Sequence, residues 1–142
     1  MKPKLATLAT LLLLFAFATP ASARAADDPA FMQHFFAPEL VLKNASAIKL
    51  SKEQRAALTK DIGQVTGATT ELQLSMLDGL GSVEELSTAD PVNEDALLGA
   101  IHEVLIAEMR VKEAHMGLLV RIRNLLTPAQ RESLRKIRDG ES

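Results

Sequence analysis

The sequence predicts an all-α fold, a long antiparallel helical hairpin flanked by short helices. Along two long stretches, apolar residues recur at alternating steps of four and three, which is the spacing of a helix–helix seam. Two Ser/Thr-x-x-Gln sequences mark helix starts. The chain of 142 residues has no cysteine, tryptophan or tyrosine, and no aromatic residue follows Phe36. We therefore expect thin helix–helix seams in place of a large globular core.

The first 23 residues are interpreted as a secretory signal peptide. Two lysines precede an apolar run at 5–18, and Pro20 leads into the cleavage pattern Ala-Ser-Ala at 21–23. The alternative is an uncleaved anchor, because residues 5–23 carry no charge and a membrane span needs about 20 apolar residues. Either way we expect an exported, periplasmic protein, anchored in the inner membrane if the signal is retained.

A flexible arm at residues 24–37 and one helical domain at 38–139 are predicted to follow. The arm carries Phe31, Phe35 and Phe36. Pro38 can open a short helix, since its missing N–H costs nothing at the first helical position. This helix is expected to run to about Ala47.

The box Ser51-Lys52-Glu53-Gln54 predicts the start of a long helix, because the serine hydroxyl and the glutamine amide can cap it reciprocally. Each of its glycines weakens the helix by about 1 kcal/mol relative to alanine. The sequence leaves open whether the helix is continuous across Gly79–Gly81. The pair Gly63 and Gly67 fits either a close helix approach or a tolerated weak spot. The predicted seam consists of Leu58, Ile62, Val65, Thr69, Leu72, Met76, Gly79, Val83 and Leu86.

Asp90-Pro91 predicts the start of a second long helix, with aspartate as the cap and proline at the first position. This helix is expected to run to about Leu125. Its seam consists of Leu97, Ile101, Val104, Glu108, Val111, His115, Leu118, Ile122 and Leu125, widened by Leu98, Leu105, Leu119 and Leu126. Beside the seam lies a second apolar row of Ile106, Met109, Met116 and Val120. Because an isolated hairpin cannot cover both, we expect one row to face a partner chain or a client.

A second box at 127–130 predicts a last helix that runs to about Asp139 and stops at Gly140. The two boxes form an internal repeat, which we interpret as two equivalent, structurally capped helix starts at the base of one hairpin. The aligned residues are Leu50, Ser51 and Gln54 in the first box and Leu126, Thr127 and Gln130 in the second.

Charge is segregated along the chain. Between Lys60 and Arg110 there are ten acidic residues and no lysine or arginine, whereas the rest of the chain from Arg110 has eight basic and four acidic residues. The pattern fits a solvated surface or an antiparallel dimer that sets the acidic tip against the base at Arg121 and Arg123. The overall balance of 18 acidic against 16 basic residues argues against a nucleic-acid partner.

No motif points to catalysis, so we expect a binding protein that is not an enzyme and requires no cofactor. His102-Glu103 begins like a zinc-protease motif, but Ile106 stands where the second histidine would be. The candidate metal ligands are His34, His102, Glu108 and His115, and the alternative for the histidines is packing. No two histidines have one-turn spacing, so a metal site would need several segments or chains.

Paired Leu-[Ser/Thr]-x-x-Gln boxes in an exported helical domain of this size resemble the Spy/CpxP family of periplasmic proteins. This family includes zinc-resistance-associated proteins and heavy-metal-resistance sensors. The resemblance covers about Phe36 to Ile137, and its more specific part is the second box with the preceding helix, Glu108 through Leu126. It implies a small helical hairpin that forms a curved antiparallel homodimer.

The resemblance implies two functions. The Spy-like one is an ATP-independent envelope-stress chaperone that binds unfolded or misfolded periplasmic proteins. Its adaptable apolar contacts would come from Leu105, Ile106, Met109, Met116 and Val120. The alternative is a periplasmic heavy-metal sensor or regulator that binds zinc, nickel or cobalt at the candidate ligands above. A CpxP-like role would add a sensor kinase or an anti-sigma protein as partner.

Overall fold

A computed structural model describes residues 29–140 of the chain. The chain divides into two compact units, Met1–Gln33 and His34–Ser142. The described end of the first unit forms most of a short 3-10 helix, Ala30–His34. The predicted signal peptide and the first part of the arm lie outside the described residues. Within 29–140, no helix combines the length and apolarity needed to cross a membrane.

The second unit is all-helical, as predicted. Its helices are α1 (Pro38–Lys43), α2 (Lys52–Ser87), α3 (Glu94–Leu125) and α4 (Pro128–Asp139), and residues 29–140 contain no strand. At a rise of about 1.5 Å per residue, α2 and α3 are about 54 and 48 Å long. They pack against each other as an antiparallel pair joined by a short loop. The predicted hairpin, flanked by short helices, is therefore confirmed.

Helix α2 is continuous across its glycines. It begins at the capping box formed by Ser51 and Gln54 and runs for 36 residues without a break at Gly79 or Gly81. A Cβ added at Gly79 would lie 2.8 Å from Cγ2 of Val104, whereas nothing lies within 4 Å of one added at Gly63 or Gly67. The close approach between α2 and α3 is therefore made at Gly79, and within this chain the pair Gly63 and Gly67 does not make one.

The start of α3 differs from the prediction by three residues. Asn93 is the N-cap, and its side chain accepts a hydrogen bond from the backbone N–H of Ala96 at 3.0 Å. The prediction that Asp90 caps this helix and Pro91 opens it is wrong, because the amide of Asn93 caps equally well and is followed at once by two acids that favour a helix N-terminus. The end at Leu125 is confirmed.

Helix α1 ends four residues earlier than predicted, at Lys43. The side-chain amide of Asn44 donates to the carbonyl of Leu40 at 2.8 Å, which competes with continuation of the helix. Turns follow to residue 49, where Lys49 has a left-handed backbone with φ of 52°. This turn brings Leu50, which begins the first box, into the core.

The core lies at the base of the hairpin, where α1, α4 and the boxes meet the ends of α2 and α3. Phe36 is only 2% exposed, so its assignment to a flexible arm is wrong: the aromatic ring packs into the core of the helical unit. The guanidinium of Arg138 lies over this ring, 5.9 Å from its centre. The core cluster contains Phe36, Val41, Ala45, Ile48, Leu50, Leu58, Val65, Leu118, Ile122, Leu126 and Leu134.

The predicted seams of α2 and α3 face inward, and their buried members cluster towards the base. No residue of 77–87 or 94–106 is fully buried, so about the distal third of the hairpin is held only by half-buried side chains. Leu98 and Leu105, which were expected to widen the seam of α3, are instead 54% and 55% exposed. They lie on a flank of the helix, because their positions fall outside the sector that meets α2.

Candidate binding surface

The two boxes are joined by a clasp of two glutamine side chains, Gln54 and Gln130. Each side-chain amide nitrogen donates to the carbonyl oxygen of the other, at 2.9 Å in both directions. Gln54 also donates to the backbone carbonyl of Leu125 at 2.8 Å, and Gln130 to that of Ile48 at 3.3 Å. The clasp therefore fastens the starts of α2 and α4 to each other and to the chain on either side.

Each clasp glutamine also caps its own helix. The amide oxygen of Gln54 accepts from the N–H of Ser51, and that of Gln130 from the N–H of Thr127. In return, the Ser51 and Thr127 hydroxyls accept from the backbone N–H groups of the glutamines. Two donors and two acceptors are the full capacity of an amide side chain, so both are saturated.

An arginine follows each glutamine and extends the repeat by one residue. Arg55 donates to the carbonyl of Leu50 at 3.4 Å, and Arg131 donates to the carbonyl of Leu126 at 2.8 Å. Arg131 also reaches the carbonyl of Arg123 at 3.1 Å, near the end of α3. Both arginines thus bond the backbone of the leucine that begins their own box.

Helix α3 carries an exposed apolar row along the hairpin. Because successive helical residues lie about 100° apart, positions 98, 105, 109, 116 and 120 fall within a sector of about 60°. Leu98, Leu105, Met109 and Val120 are 54%, 55%, 51% and 42% exposed, and Met116 is half-buried. We call these five residues the outer row.

Helix α2 adds two exposed leucines at the level of this row. Leu74 and Leu77 are 58% and 62% exposed, and the contact between Gly79 and Val104 sets Leu77 opposite Leu105 along the hairpin. The ion pair of Asp61 with Arg121, at 3.7 Å, marks one side of the hairpin.

On α2, Leu77 lies sixteen residues after Asp61, and on α3, Leu105 lies sixteen residues before Arg121. In both helices this spacing is a rotation of about 160° away from the ion pair. The two leucines therefore share the opposite side. Leu74 lies about 60° further around α2 than Leu77, at the edge of this side. The outer row together with Leu74 and Leu77 is called the outer face below.

Part of this surface was predicted from the sequence. Of the five predicted client contacts, Leu105, Met109 and Val120 are exposed members of the outer row, and Met116 is a half-buried member. Ile106 is half-buried and lies about 100° around the helix from Leu105, outside the row. Leu98, Leu74 and Leu77 were missed. The seven-residue step back from Leu105 would have found Leu98, and the leucines of α2 could have been found opposite its seam.

The candidate metal ligands do not form a cluster. His34 and His102 are exposed and His115 is half-buried, while the carboxylate of Glu108 accepts from the ammonium of Lys112 at 2.8 Å. Across the described part of the chain, no three histidine, aspartate or glutamate side chains are close enough together to hold one metal ion.

Comparison with known proteins gives no relative for this chain. It matches no protein-family model, no curated protein and no solved structure.

Proposed function

We propose that this protein is a periplasmic, ATP-independent chaperone-like protein of the Spy/CpxP type, which binds unfolded clients without catalysis. The observation that carries the proposal is the outer face, where leucine and methionine side chains on two helices are more than half exposed at the same level of the hairpin. Contiguous exposed apolar surface on a soluble domain is typical of an interaction site.

The chemistry of the outer face suits weak and adaptable binding. Burying one leucine or methionine side chain contributes about 1.5–3 kcal/mol, so a client segment that covers two or three of them is held reversibly. Methionine adapts its shape to different partners, which favours a binder of many sequences. Release then needs no nucleotide, because each contact is weak on its own.

The test is suppression of client aggregation by purified mature protein, without ATP and after treatment with a chelator. The variant Leu105→Ser with Met109→Ser is expected to lose most of the protection, because it removes the centre of the outer row. Leu42→Ser is the matched control, since Leu42 is 46% exposed but lies on α1 at the base. Equal protection by all three proteins would contradict the proposal.

Metal removal is expected to leave the protection unchanged, because the outer row offers leucine, valine and methionine contacts and no ionic ligand set. Protection that appears only after zinc or nickel is restored would favour the metal-responsive alternative. In that case replacing His102 and His115 should abolish metal binding in a titration of the same sample.

We further propose that two copies associate antiparallel, with the acidic tip of one against the basic base of the other near Arg121 and Arg123. The segregation of charge supports this arrangement. Salt screens such contacts, so the dimer dissociation constant from sedimentation should rise between about 20 mM and 500 mM salt. A constant that does not depend on salt would refute this mode of pairing.

The proposal requires export of the chain to the periplasm. Cleavage after Ala23 would give a mature protein that begins at Arg24. Mass spectrometry of the protein recovered from a periplasmic fraction tests this, and full-length protein in the membrane fraction would indicate the anchor instead.

A further inference from the structure

The exposed apolar residues of this protein are concentrated where the chain has no positive charge. Ten large hydrophobic residues in the described part of the chain are conspicuously exposed. Six of them lie within the segment 61–109, which contains no lysine or arginine: Leu74, Leu77, Val92, Leu98, Leu105 and Met109. At Leu74 and Leu77 on α2, and from Leu98 to Leu105 on α3, the outer face is therefore apolar surface among acidic or neutral residues. The first cations of α3, Arg110 and Lys112, follow Met109.

Most of the acids of this segment have no cationic partner within residues 29–140. Asp61 pairs with Arg121 and Glu108 with Lys112. The other eight acids form no ion pair with any described residue, and all eight are exposed. They are Glu71, Asp78, Glu84, Glu85, Asp90, Glu94, Asp95 and Glu103. Their negative charge is directed to solvent or to a ligand.

Several of these carboxylates flank the exposed leucines directly. Leu74 has Glu71 three residues before it and Asp78 four residues after it, and these spacings place all three side chains on one helix surface. Leu98 also has two acids at one-turn spacing, Glu94 and Asp95, which precede it by four and three residues. At the other end of the outer row, Val120 is followed by Arg121 and Arg123.

Resting on the proposed function, we propose that the distal half of the outer face selects apolar client segments flanked by lysine or arginine. Leucine and methionine contacts hold the apolar part of the segment, and the unpaired carboxylates hold its flanks. Opposite charge also speeds capture, because a field of one sign steers the approach of an ion of the other. Apolar segments flanked by acids meet repulsion at the same place.

The test uses the mature protein and three labelled peptides that share one apolar core and differ only in their flanks, lysine, serine or glutamate. Fluorescence anisotropy is expected to show the order of affinity lysine, then serine, then glutamate, with about tenfold or more between the extremes at low salt. The difference should largely disappear at about 500 mM salt, where the Debye length is only a few ångströms.

A charge-neutral variant locates the effect. Glu84→Gln with Asp95→Asn, two turns from Leu77 and one turn from Leu98, is expected to reduce the preference for lysine flanks severalfold and to leave the serine-flanked peptide almost unchanged. The matched control is Glu39→Gln with Asp139→Asn, which removes the same charge at the base of the hairpin. Circular dichroism checks that both variants remain helical, and the serine-flanked peptide checks that both retain the apolar site.

The outcomes separate this inference from the proposed function. Equal affinity for all three peptides, or a preference for glutamate flanks, would overturn the inference and leave the chaperone proposal intact. Failure to bind any of them would overturn both. A preference that disappears as the protein self-associates, followed by sedimentation, would assign this face to a second copy of the chain and overturn the inference.

Discussion

Gln130 is 9% exposed, and its side-chain amide makes every hydrogen bond that it can make. Removing it leaves the N–H of Thr127 without its partner and takes one donated and one accepted hydrogen bond from the amide of Gln54, which keeps its bonds to Leu125 and Ser51. A buried group that loses its hydrogen bond costs about 1–3 kcal/mol. Much of the hydrogen bonding that holds the base of the hairpin together therefore depends on one pair of side chains, Gln54 and Gln130.

The variant Gln130→Ala is expected to lower the free energy of unfolding by roughly 3 kcal/mol, measured by urea denaturation. The control is Gln73→Ala, an exposed glutamine of α2 that should change little. In a double-mutant cycle with Gln54→Ala, the coupling energy should be about 1–2 kcal/mol. Strict additivity would show that the two amides do not act as one unit.

Glu53 gives the start of α2 a dependence on pH. A hydrogen bond from its own backbone N–H, and then one from the Ser51 side chain, hold the pKa of the Glu53 carboxyl below its ordinary value. A lowered pKa stabilises the folded state above the ordinary pKa of glutamate, and this contribution is lost as pH falls through the lowered value.

The variant Glu53→Gln is therefore expected to show a shallower fall of the melting temperature as the solution is acidified below about pH 4.3. Thermal unfolding followed by circular dichroism over that range measures it. Identical acid profiles for the two proteins would show that the carboxylate of Glu53 contributes nothing to the stability of the cap.

At the scale of the helix, Gly79 and Gly81 give opposite predictions although they are two residues apart. A Cβ at position 79 would overlap Cγ2 of Val104, so Gly79→Ala is expected to destabilise by about 1–3 kcal/mol. Position 81 has open space within 4 Å, so Gly81→Ala should stabilise by up to about 1 kcal/mol. Chemical denaturation of both variants measures this, and effects of the same sign would contradict the close approach.

The helices show what local chemistry can predict. Ser51, Thr127 and Gly140 end or begin their helices as predicted, because a cap depends on residues within one turn of it. The predicted start of α3 was wrong because Asp90 and Asn93 are both residue types that cap helices well, and the local sequence does not decide between them. Phe36 was misplaced for a related reason: nothing in its neighbours along the chain shows that α4 supplies Leu134 and Arg138 nearby.

The candidate surface was predicted only in part, because helical spacing gives the faces of a helix but not which face the other helix covers. Leu105 fitted both the seam of α3 and the row beside it. The position of α2, fixed at Gly79 and at the clasp, decides that Leu98 and Leu105 are outside. Function could not be predicted from spacing at all, since an exposed leucine looks like a core leucine in sequence.

For the whole molecule, the distribution of buried residues predicts unequal stability along the hairpin. Native-state hydrogen exchange should show that the amides of 77–87 and 94–106 open at a free energy roughly 2 kcal/mol or more below that of the amides around Leu58 and Ile122. The reason is that the fully buried side chains cluster at the base. Equal protection along both helices would show that the half-buried distal seam is as stable as the core.

Because the clasp holds the hairpin at its base, a small change of angle there becomes a large displacement at the tip. Gln54 and the last turn of α2 are separated by about 48 Å along the helix axis. A change of about 5° in the angle between α2 and α3 at the clasp would move the tip by about 4 Å, close to the width of an extended polypeptide. Such a rotation would open the contact of Gly79 with Val104 and widen the spacing of Leu77 and Leu105 for segments of different bulk, while the hydrogen bonds at the base stay in place.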